Sequence, residues 1–197
     1  MPISIEQYLE HIERAAAGLA ADAADAGLDA PVPTCPEWTV TDLVGHLGTV
    51  HRWATAIIAG ALPSTDLSRD ADVATEPPDD RAALAGWFRA GADGLLDALR
   101  AAPDDLAAAV FLHAAPPPKT FWARRQAHET TIHRIDAMSA RLGRYPTTAE
   151  AGIAPGLAAD GLDELLVGFV PRRSSRLRSA DPLTMLIAPT DVEVAWT

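Results

Sequence analysis

The chain has 197 residues, 48% of them hydrophobic and 22% charged, a composition typical of a globular protein and not of a disordered or fibrous one. Its 27 acidic residues outnumber its 16 lysines and arginines, and the net charge of −11 argues against nucleic acid or an anionic membrane surface as a partner. The N-terminus is charged throughout and no apolar run is long enough to cross a membrane, so the sequence predicts a cytoplasmic protein. Cys35 is the single cysteine, which leaves histidine and carboxylate as the ligands for any metal.

Apolar residues that recur every three or four positions predict a succession of long helices. The first helix is expected over residues 4–24, followed by a proline-punctuated loop. The second helix is expected to begin after Thr39, which forms a short-armed capping box with Asp42, and to end at Gly60. Residues 61–79 lack apolar periodicity and predict a surface loop.

The same periodicity predicts a third helix over residues 81–101. Three consecutive prolines, 116–118, predict an extended segment before a fourth helix. We expect Thr120 to cap this helix and Gly143 to end it in a left-handed conformation. A shorter fifth helix is predicted within residues 155–170.

The C-terminal part of the chain changes character. The runs PLTMLIA and VEVAW are strand-like and are joined by PTD, which predicts a small β-hairpin whose apolar edge, residues 183–196, would suit a homodimer contact. The basic string RRSSRLR, residues 172–178, is interpreted as a linker or ion-pairing segment. The fold class predicted is mainly all-α, an antiparallel four-helix bundle over residues 1–175 with a strand-like tail at 176–197.

The string HETTIH, residues 128–133, contains the first candidates for metal ligands. In a helix, Glu129 and His133 lie one turn apart on one face and can reach a single ion. His128 and His133 are instead about 140° apart around the helix axis, and their spacing departs from the H-E-x-x-H pattern of metalloproteases. Because an open catalytic zinc site needs three protein ligands, a third ligand must come from another helix.

The second predicted helix offers that ligand. His46 lies three residues after Leu43, on or beside the face that points into the bundle, whereas His51 is about 140° away from it. His46, Glu129 and His133 therefore form a candidate His₂Glu set that suits zinc, with Ni²⁺, Fe²⁺ and Mn²⁺ also compatible by ligand type. On these residues alone, a hydrogen-bonded core or boundary histidine and a solvated Glu–His contact on the helix face are the more common interpretation of such a pattern.

Polar residues around the two motifs are candidates for lining a pocket or orienting its ligands: His51, Arg125, His128 and Asp136. Asp136, three residues after His133, is placed to orient Arg134 or a histidine, or to form a cap or a surface ion pair. Arg124 and Arg125 would either attract an anionic substrate or remain solvated. Trp38 is interpreted as core and helix-junction packing, and Cys35 as a small packed residue and not a nucleophile.

Two longer strings carry a family resemblance. CPEWTVTDLVGHLGTVHRWA, followed about eighty residues later by FWARRQAHETTIHRIDAMSA, resembles the N-terminal metal-binding domain of the mycothiol-dependent maleylpyruvate isomerase family, within the DinB-like four-helix bundles. The resemblance covers roughly residues 5–170. It implies a divalent metal, usually zinc, on His46, Glu129 and His133, with the thiol mycothiol as cofactor and a small electrophile as substrate.

The resemblance leaves the reaction open. Maleylpyruvate isomerisation is one expectation, and mycothiol transfer to another electrophile is a second, because the characterised isomerases carry a further C-terminal α/β domain and this chain ends at Thr197. The alternative from a different class is a non-catalytic, metal-stabilised helical bundle that acts as a binding or regulatory module.

Overall fold

The computed structural model describes residues 3–63, 65, 76–112, 114–172 and 179–197. Four long helices dominate it: α1 (Ile5–Ala26), α2 (Val40–Ile58), α3 (Arg81–Ala101) and α4 (Pro118–Leu142). A two-stranded antiparallel hairpin, β1 (Pro31–Val32) and β2 (Cys35–Thr39), lies between α1 and α2. After α4 come α5 (Thr148–Ala151) and α6 (Pro155–Asp163), which continues as a π-helical turn at Glu164–Phe169. The predicted mainly helical, four-helix architecture is confirmed.

The helix ends follow the capping signals of the sequence, with one exception. Thr39 accepts the backbone N–H of Asp42, and the Asp42 carboxylate accepts the N–H of Thr39 at 2.8 Å, which closes the predicted capping box of α2. Gly143 ends α4 with a left-handed φ of 67°. The prediction that Thr120 caps α4 is wrong, since the helix begins earlier with Pro118 at its first position, where a fixed φ suits proline and no N–H is needed.

Helices α1 and α4 pack side by side and run in the same direction. Near the start of α1 and the middle of α4, the rings of Tyr8 and His128 lie 6.3 Å apart. Toward their C-terminal ends, Arg141 donates a hydrogen bond to Asp22 at 2.6 Å. Residue numbers therefore rise together along the two helices, which makes them a parallel pair.

Helices α2 and α3 form a second parallel pair, and a glycine in α2 allows a close approach. Early in both helices Arg81 donates to Thr41, and further along Arg52 donates to the carbonyl of Trp87. A Cβ atom at Gly48 of α2 would lie 2.1 Å from the Trp87 ring. Because Gly48 has no side chain, the Trp87 indole can pack directly against the backbone of α2.

The two pairs run in opposite directions. His46 of α2 faces Glu129 of α4, whereas the later Trp53 faces the earlier Trp122 at 5.1 Å, so α2 and α4 are antiparallel. The bundle therefore has two helices in each direction. The parallel helices are α1 with α4 and α2 with α3, and the two pairs are antiparallel to each other. This order needs the long connection 59–80 between α2 and α3, since two consecutive parallel helices of a bundle are joined by a long crossover connection.

A single hydrophobic core fills the bundle. An aromatic cluster contributes much of its volume, with Trp122 and Phe121 fully buried against Trp53 and Phe111. The Trp122 indole N–H donates to the carbonyl of Ala109, in the irregular segment that precedes α4. This hydrogen bond and the aromatic packing hold the segment against α4, the helix that contains HETTIH.

The C-terminal segment departs from the predicted β-hairpin. Its two strand-like runs meet at one antiparallel bridge between Ile187 and Trp196, and no ladder of strands extends from it in the described part of the tail. The tail is held to the bundle by the Trp196 indole, which donates to Asp163 at 3.0 Å. Leu183 and Leu186 are exposed, and the dimer contact predicted for this edge stays a prediction.

Several of the segments predicted from the sequence lie outside the described residues. The basic cluster at 172–178 and the domain boundary at 175–176 fall almost entirely on residues 173–178, outside the described part of the chain, as does most of the predicted loop 61–79. None of the described helices combines the length and the apolar character that a membrane span requires.

Candidate metal centre

Three side chains from two helices meet at one point. The Nε2 atom of His46 lies 3.6 Å from Glu129 Oε1, and the Nε2 atom of His133 lies 3.3 Å from the same oxygen. All three ligand atoms lie within 4.8 Å of one another. Tetrahedral zinc with bonds of about 2.0–2.1 Å holds its ligand atoms roughly 3.3–3.4 Å apart. The structure therefore brings together the His₂Glu set predicted from spacing, at separations that suit a small divalent ion.

The three side chains differ in exposure. The His46 side chain is 39% exposed, Glu129 24% and His133 12%. The constellation is therefore open on the side of His46 and closed behind His133. An external ligand would have access from the α2 side, as an open catalytic position requires.

Asp136 fixes the orientation of His133. Its Oδ2 lies 2.8 Å from Nδ1 of His133, one helical turn away. A carboxylate on Nδ1 holds the proton there and leaves Nε2 free to act as a ligand, an arrangement common at metal-binding histidines. Asp136 therefore contacts the His133 ring in the position expected of a residue that orients a ligand.

Protonation of the site reflects its paired charges. Burial alone would lower the pKa of His133, but hydrogen bonds with Asp136 and Glu129 outweigh it and raise the pKa to about 9. Burial likewise opposes ionisation of Glu129, yet hydrogen bonds from His133 and His46 hold the pKa of that carboxyl well below its usual range. A proton on His133 thus occupies, without metal, the position next to Glu129 that a cation would take.

Arg125 holds the other oxygen of Glu129. Its Nη2 donates to Glu129 Oε2 at 3.0 Å, while Nη1 donates to Glu164 of the π-helical turn. Glu164 is 3% exposed, and burial raises the pKa of its carboxyl. Arg125 therefore lies between two carboxylates and leaves Oε1 of Glu129 facing the histidines. Glu164 is not among the candidates predicted from the sequence, although its position directly before the apolar run LLVGF was a signal for burial.

The β1–β2 hairpin covers the histidines with an aromatic ring. Trp38 lies with its ring centroid 4.9 Å from that of His46 and 6.0 Å from that of His133, stacked on the latter at 25°. Its interpretation as core and helix-junction packing is therefore incomplete, because Trp38 contacts both candidate ligands. Cys35 lies in the same strand beside Asp136, and burial, followed by the Asp136 charge, raises the pKa of its thiol. A thiol with a raised pKa is a poor nucleophile, as expected for Cys35.

His51 lies in the core and not on a pocket rim. It is fully buried, with its ring 5.7 Å from that of Phe88. Thr130 donates its hydroxyl proton to the carbonyl of Gln126, so its oxygen accepts a hydrogen bond from His51 Nε2 at 3.0 Å. Its place on the helix, about 140° from His46, turns His51 toward α3.

His128 and the two arginines are also engaged in the fold. His128 Nε2 pairs with Asp160 of α6 at 2.7 Å, which takes its ring away from the triad. Arg124 donates to the same carboxylate at 3.0 Å and to Asp163 at 2.9 Å. Arg124 and Arg125 are therefore neither solvated nor free for an anionic substrate, since both bind carboxylates of the chain.

We expect His51 to make the stability of the metal-free protein pH-dependent. Burial lowers the pKa of His51 to about 3 from its ordinary 6.5. Below pH 6.5 the imidazole is therefore protonated in the unfolded chain but stays neutral in the folded chain. Stability should therefore fall as the pH drops below 6.5, by up to about 1.4 kcal/mol per pH unit from this group. Urea unfolding at several pH values should give a shallower slope for His51→Leu than for the parent protein. Equal slopes would contradict the buried, neutral His51.

The fold and the triad define a class of protein: a helical bundle in which two facing helices present two histidines and a glutamate to a single point. Residues 9–138 match the mycothiol maleylpyruvate isomerase N-terminal domain. The chain belongs to this family, as the resemblance predicted, and the match includes all of α2 and most of α4 with all three candidate ligands. No match was found among the curated proteins or among the solved structures.

Proposed function

We propose that His46, Glu129 and His133 bind a divalent metal, with zinc the best fit, and that the chain is a mycothiol-dependent enzyme of the isomerase or S-transferase type. The observation that carries the proposal is the Oε1 atom of Glu129, 3.3 Å from one imidazole nitrogen and 3.6 Å from another. Two nitrogens and one carboxylate oxygen are a donor set that zinc accepts, and Ni²⁺ is compatible with it.

When bound, such an ion would supply Lewis acidity that lowers the pKa of a thiol, so that the thiol of mycothiol would be available to a small electrophile as a thiolate at neutral pH. The proposal takes the sulfur from the cofactor, because Cys35 is not among the three side chains that converge on the site and burial raises the pKa of its thiol. The exposed side of His46 supports access for the cofactor.

The residues around the triad would hold it in one geometry. Asp136 keeps the proton of a neutral His133 on Nδ1 and so directs Nε2 toward the ion. Arg125 occupies Oε2 of Glu129, which leaves Oε1 as the ligand oxygen. Trp38 packs on both imidazoles and restricts water on the hairpin side.

The experiment begins with metal content, measured by elemental analysis on protein purified without a histidine tag. We expect about one divalent ion per chain, and its loss in His46→Ala and in Glu129→Ala. His11→Ala is the matched control, since His11 lies on α1 outside the triad. Retention of the ion in both ligand variants would overturn the site.

The second measurement is turnover of mycothiol with a panel of small electrophiles, before and after chelation. We expect a rate that chelation abolishes and added zinc restores. Metal binding without any metal-dependent rate would instead support a non-catalytic, metal-stabilised bundle and contradict the enzymatic part of the proposal.

A further inference from the structure

A second concave site lies on the other side of α4. Thr131 lies two residues from both Glu129 and His133, and helix geometry therefore places it about 200° around the axis from each of them. Together with Arg134 it lines a cleft of about 360 Å³ between α1, α4 and the segment that joins α5 to α6. Small-molecule pockets typically measure about 300–1,000 Å³, so the cleft has room for a compact ligand.

The charged groups of this cleft are all basic. His11 and Arg14 of α1 line it with Arg134 of α4, and no aspartate or glutamate belongs to the lining formed by the described residues. On a chain of net charge −11, two arginines that line one cavity with no acidic residue in the same described lining depart from the overall acidic composition. The concentration of positive charge favours an anion.

Arg134 is held in place across α1. Its Nη1 donates to the carbonyl of Ala151 at 2.8 Å, which uses one of the five N–H donors of the guanidinium. A Cβ at Gly18 would lie 3.1 Å from Arg134 Nε, so the absence of a side chain there lets the arginine cross the helix. The guanidinium is thus held in one position while other N–H donors remain for a ligand. Such a group is suited to bind a carboxylate.

His11 adds a neutral donor. Its Nδ1 lies 3.4 Å from Arg14 Nη2, and because arginine only donates, Nδ1 is the acceptor and Nε2 carries the ring proton. Burial, followed by the charge of Arg14, lowers the pKa of His11 and so keeps the ring neutral at neutral pH. Arg14 itself is 68% exposed and lies only loosely against Glu10, at 3.9 Å, so its charge is available to the cleft.

The remaining walls are apolar. Ala15 of α1 faces Ile153 and Leu157 across the cleft. Gly152, with a left-handed φ of 58°, turns the chain from α5 into this wall. A ligand that fits both kinds of surface carries a negative group at one end and an apolar body at the other.

We propose that this cleft binds a small organic carboxylate, with the carboxylate on Arg134 and Arg14 and the apolar body against Ile153 and Leu157. The site is distinct from the His46–Glu129–His133 triad and does not depend on a metal. It gives the chain a second ligand position, separated from the first by the thickness of α4.

The test is isothermal titration of the metal-free full chain with benzoate, which combines a carboxylate with an apolar ring. We expect saturable binding, with the neutral benzamide and inorganic phosphate each weaker. Arg134→Gln should weaken benzoate binding by about tenfold or more, and Arg14→Gln should weaken it to a lesser extent. Arg100→Gln, which removes a surface arginine of α3, is the matched control and should leave binding unchanged.

Three results would overturn the proposal: no saturable benzoate binding, equal binding by the parent protein and both cleft variants, or tighter binding of phosphate than of benzoate. If circular dichroism finds Arg134→Gln unfolded, Arg14→Gln decides, because its largely exposed side chain is not needed for folding. Since no metal is present, the outcome is independent of the metal content and turnover of the triad.

Discussion

Replacement of His133 by alanine is expected to lower the affinity of the chain for Zn²⁺ by more than about 100-fold, beyond the effect typical of groups that only orient a ligand. The proposed function makes His133 the best-held ligand of the triad: it is 12% exposed, fixed by Asp136 on one ring nitrogen and 3.3 Å from Glu129 on the other. Its loss leaves one imidazole and one carboxylate, fewer than a zinc site needs. Competition against a chromophoric chelator measures the affinity directly.

A graded series makes this prediction specific. Asp136→Asn keeps the shape of the side chain but removes the charge that holds the Nδ1 proton, and should cost about 10- to 100-fold in affinity. His128→Asn should have little effect, since His128 pairs with Asp160 and not with the triad. If His128→Asn and His133→Ala weakened binding equally, loss of the fold would explain both results and the assignment of His133 would fail.

Replacement of Gly48 by alanine is expected to destabilise the metal-free protein by about 1–3 kcal/mol, the cost of forcing extra atoms into a packed interface. The new Cβ would lie 2.1 Å from the ring of Trp87. That ring is not free to move, because Arg52 packs on it with its guanidinium carbon 3.9 Å from the ring centroid and also donates to the Trp87 carbonyl. The steric cost should therefore exceed the gain of about 1 kcal/mol that alanine brings to a helix.

Gly94→Ala is the matched control for this prediction. Gly94 lies in α3 with nothing within 4 Å of its Cβ position, so alanine should stabilise the protein by about 0.4–1 kcal/mol. Urea unfolding of both variants gives the comparison. A double-mutant cycle with Trp87→Ala should relieve most of the cost at Gly48. Two glycine variants of equal stability would contradict the close packing of α2 on α3.

Much of the candidate site was predictable because it depends on helical periodicity. Glu129 and His133 lie one turn apart in α4, and His46 lies on the inner side of α2, and each relation follows from spacing alone. The capping box at Thr39 and Asp42 likewise involves neighbours in sequence. Local geometry of this kind needs no knowledge of the rest of the chain.

The misassigned residues depend on contacts between distant segments. His51 shares a helix with His46, but its burial is set by Phe88 of α3. From the sequence, Arg125 either attracts an anion in the pocket or remains solvated, yet the π-helical turn places the buried Glu164 against it. Neither contact is predictable from local sequence, because Phe88 lies 37 residues after His51 and Glu164 lies 39 residues after Arg125.

The sequence by itself determined the four long helices, the turn that pairs Glu129 with His133, and the membership of the chain in its family, since apolar period, capping residues and motif strings are properties of local segments. Only the tertiary structure decided that α1 lies parallel to α4 and α2 parallel to α3, and that Trp38 covers the histidines. Those features arise from side-chain packing, in which the partner of each surface is chosen by shape and burial across the whole chain.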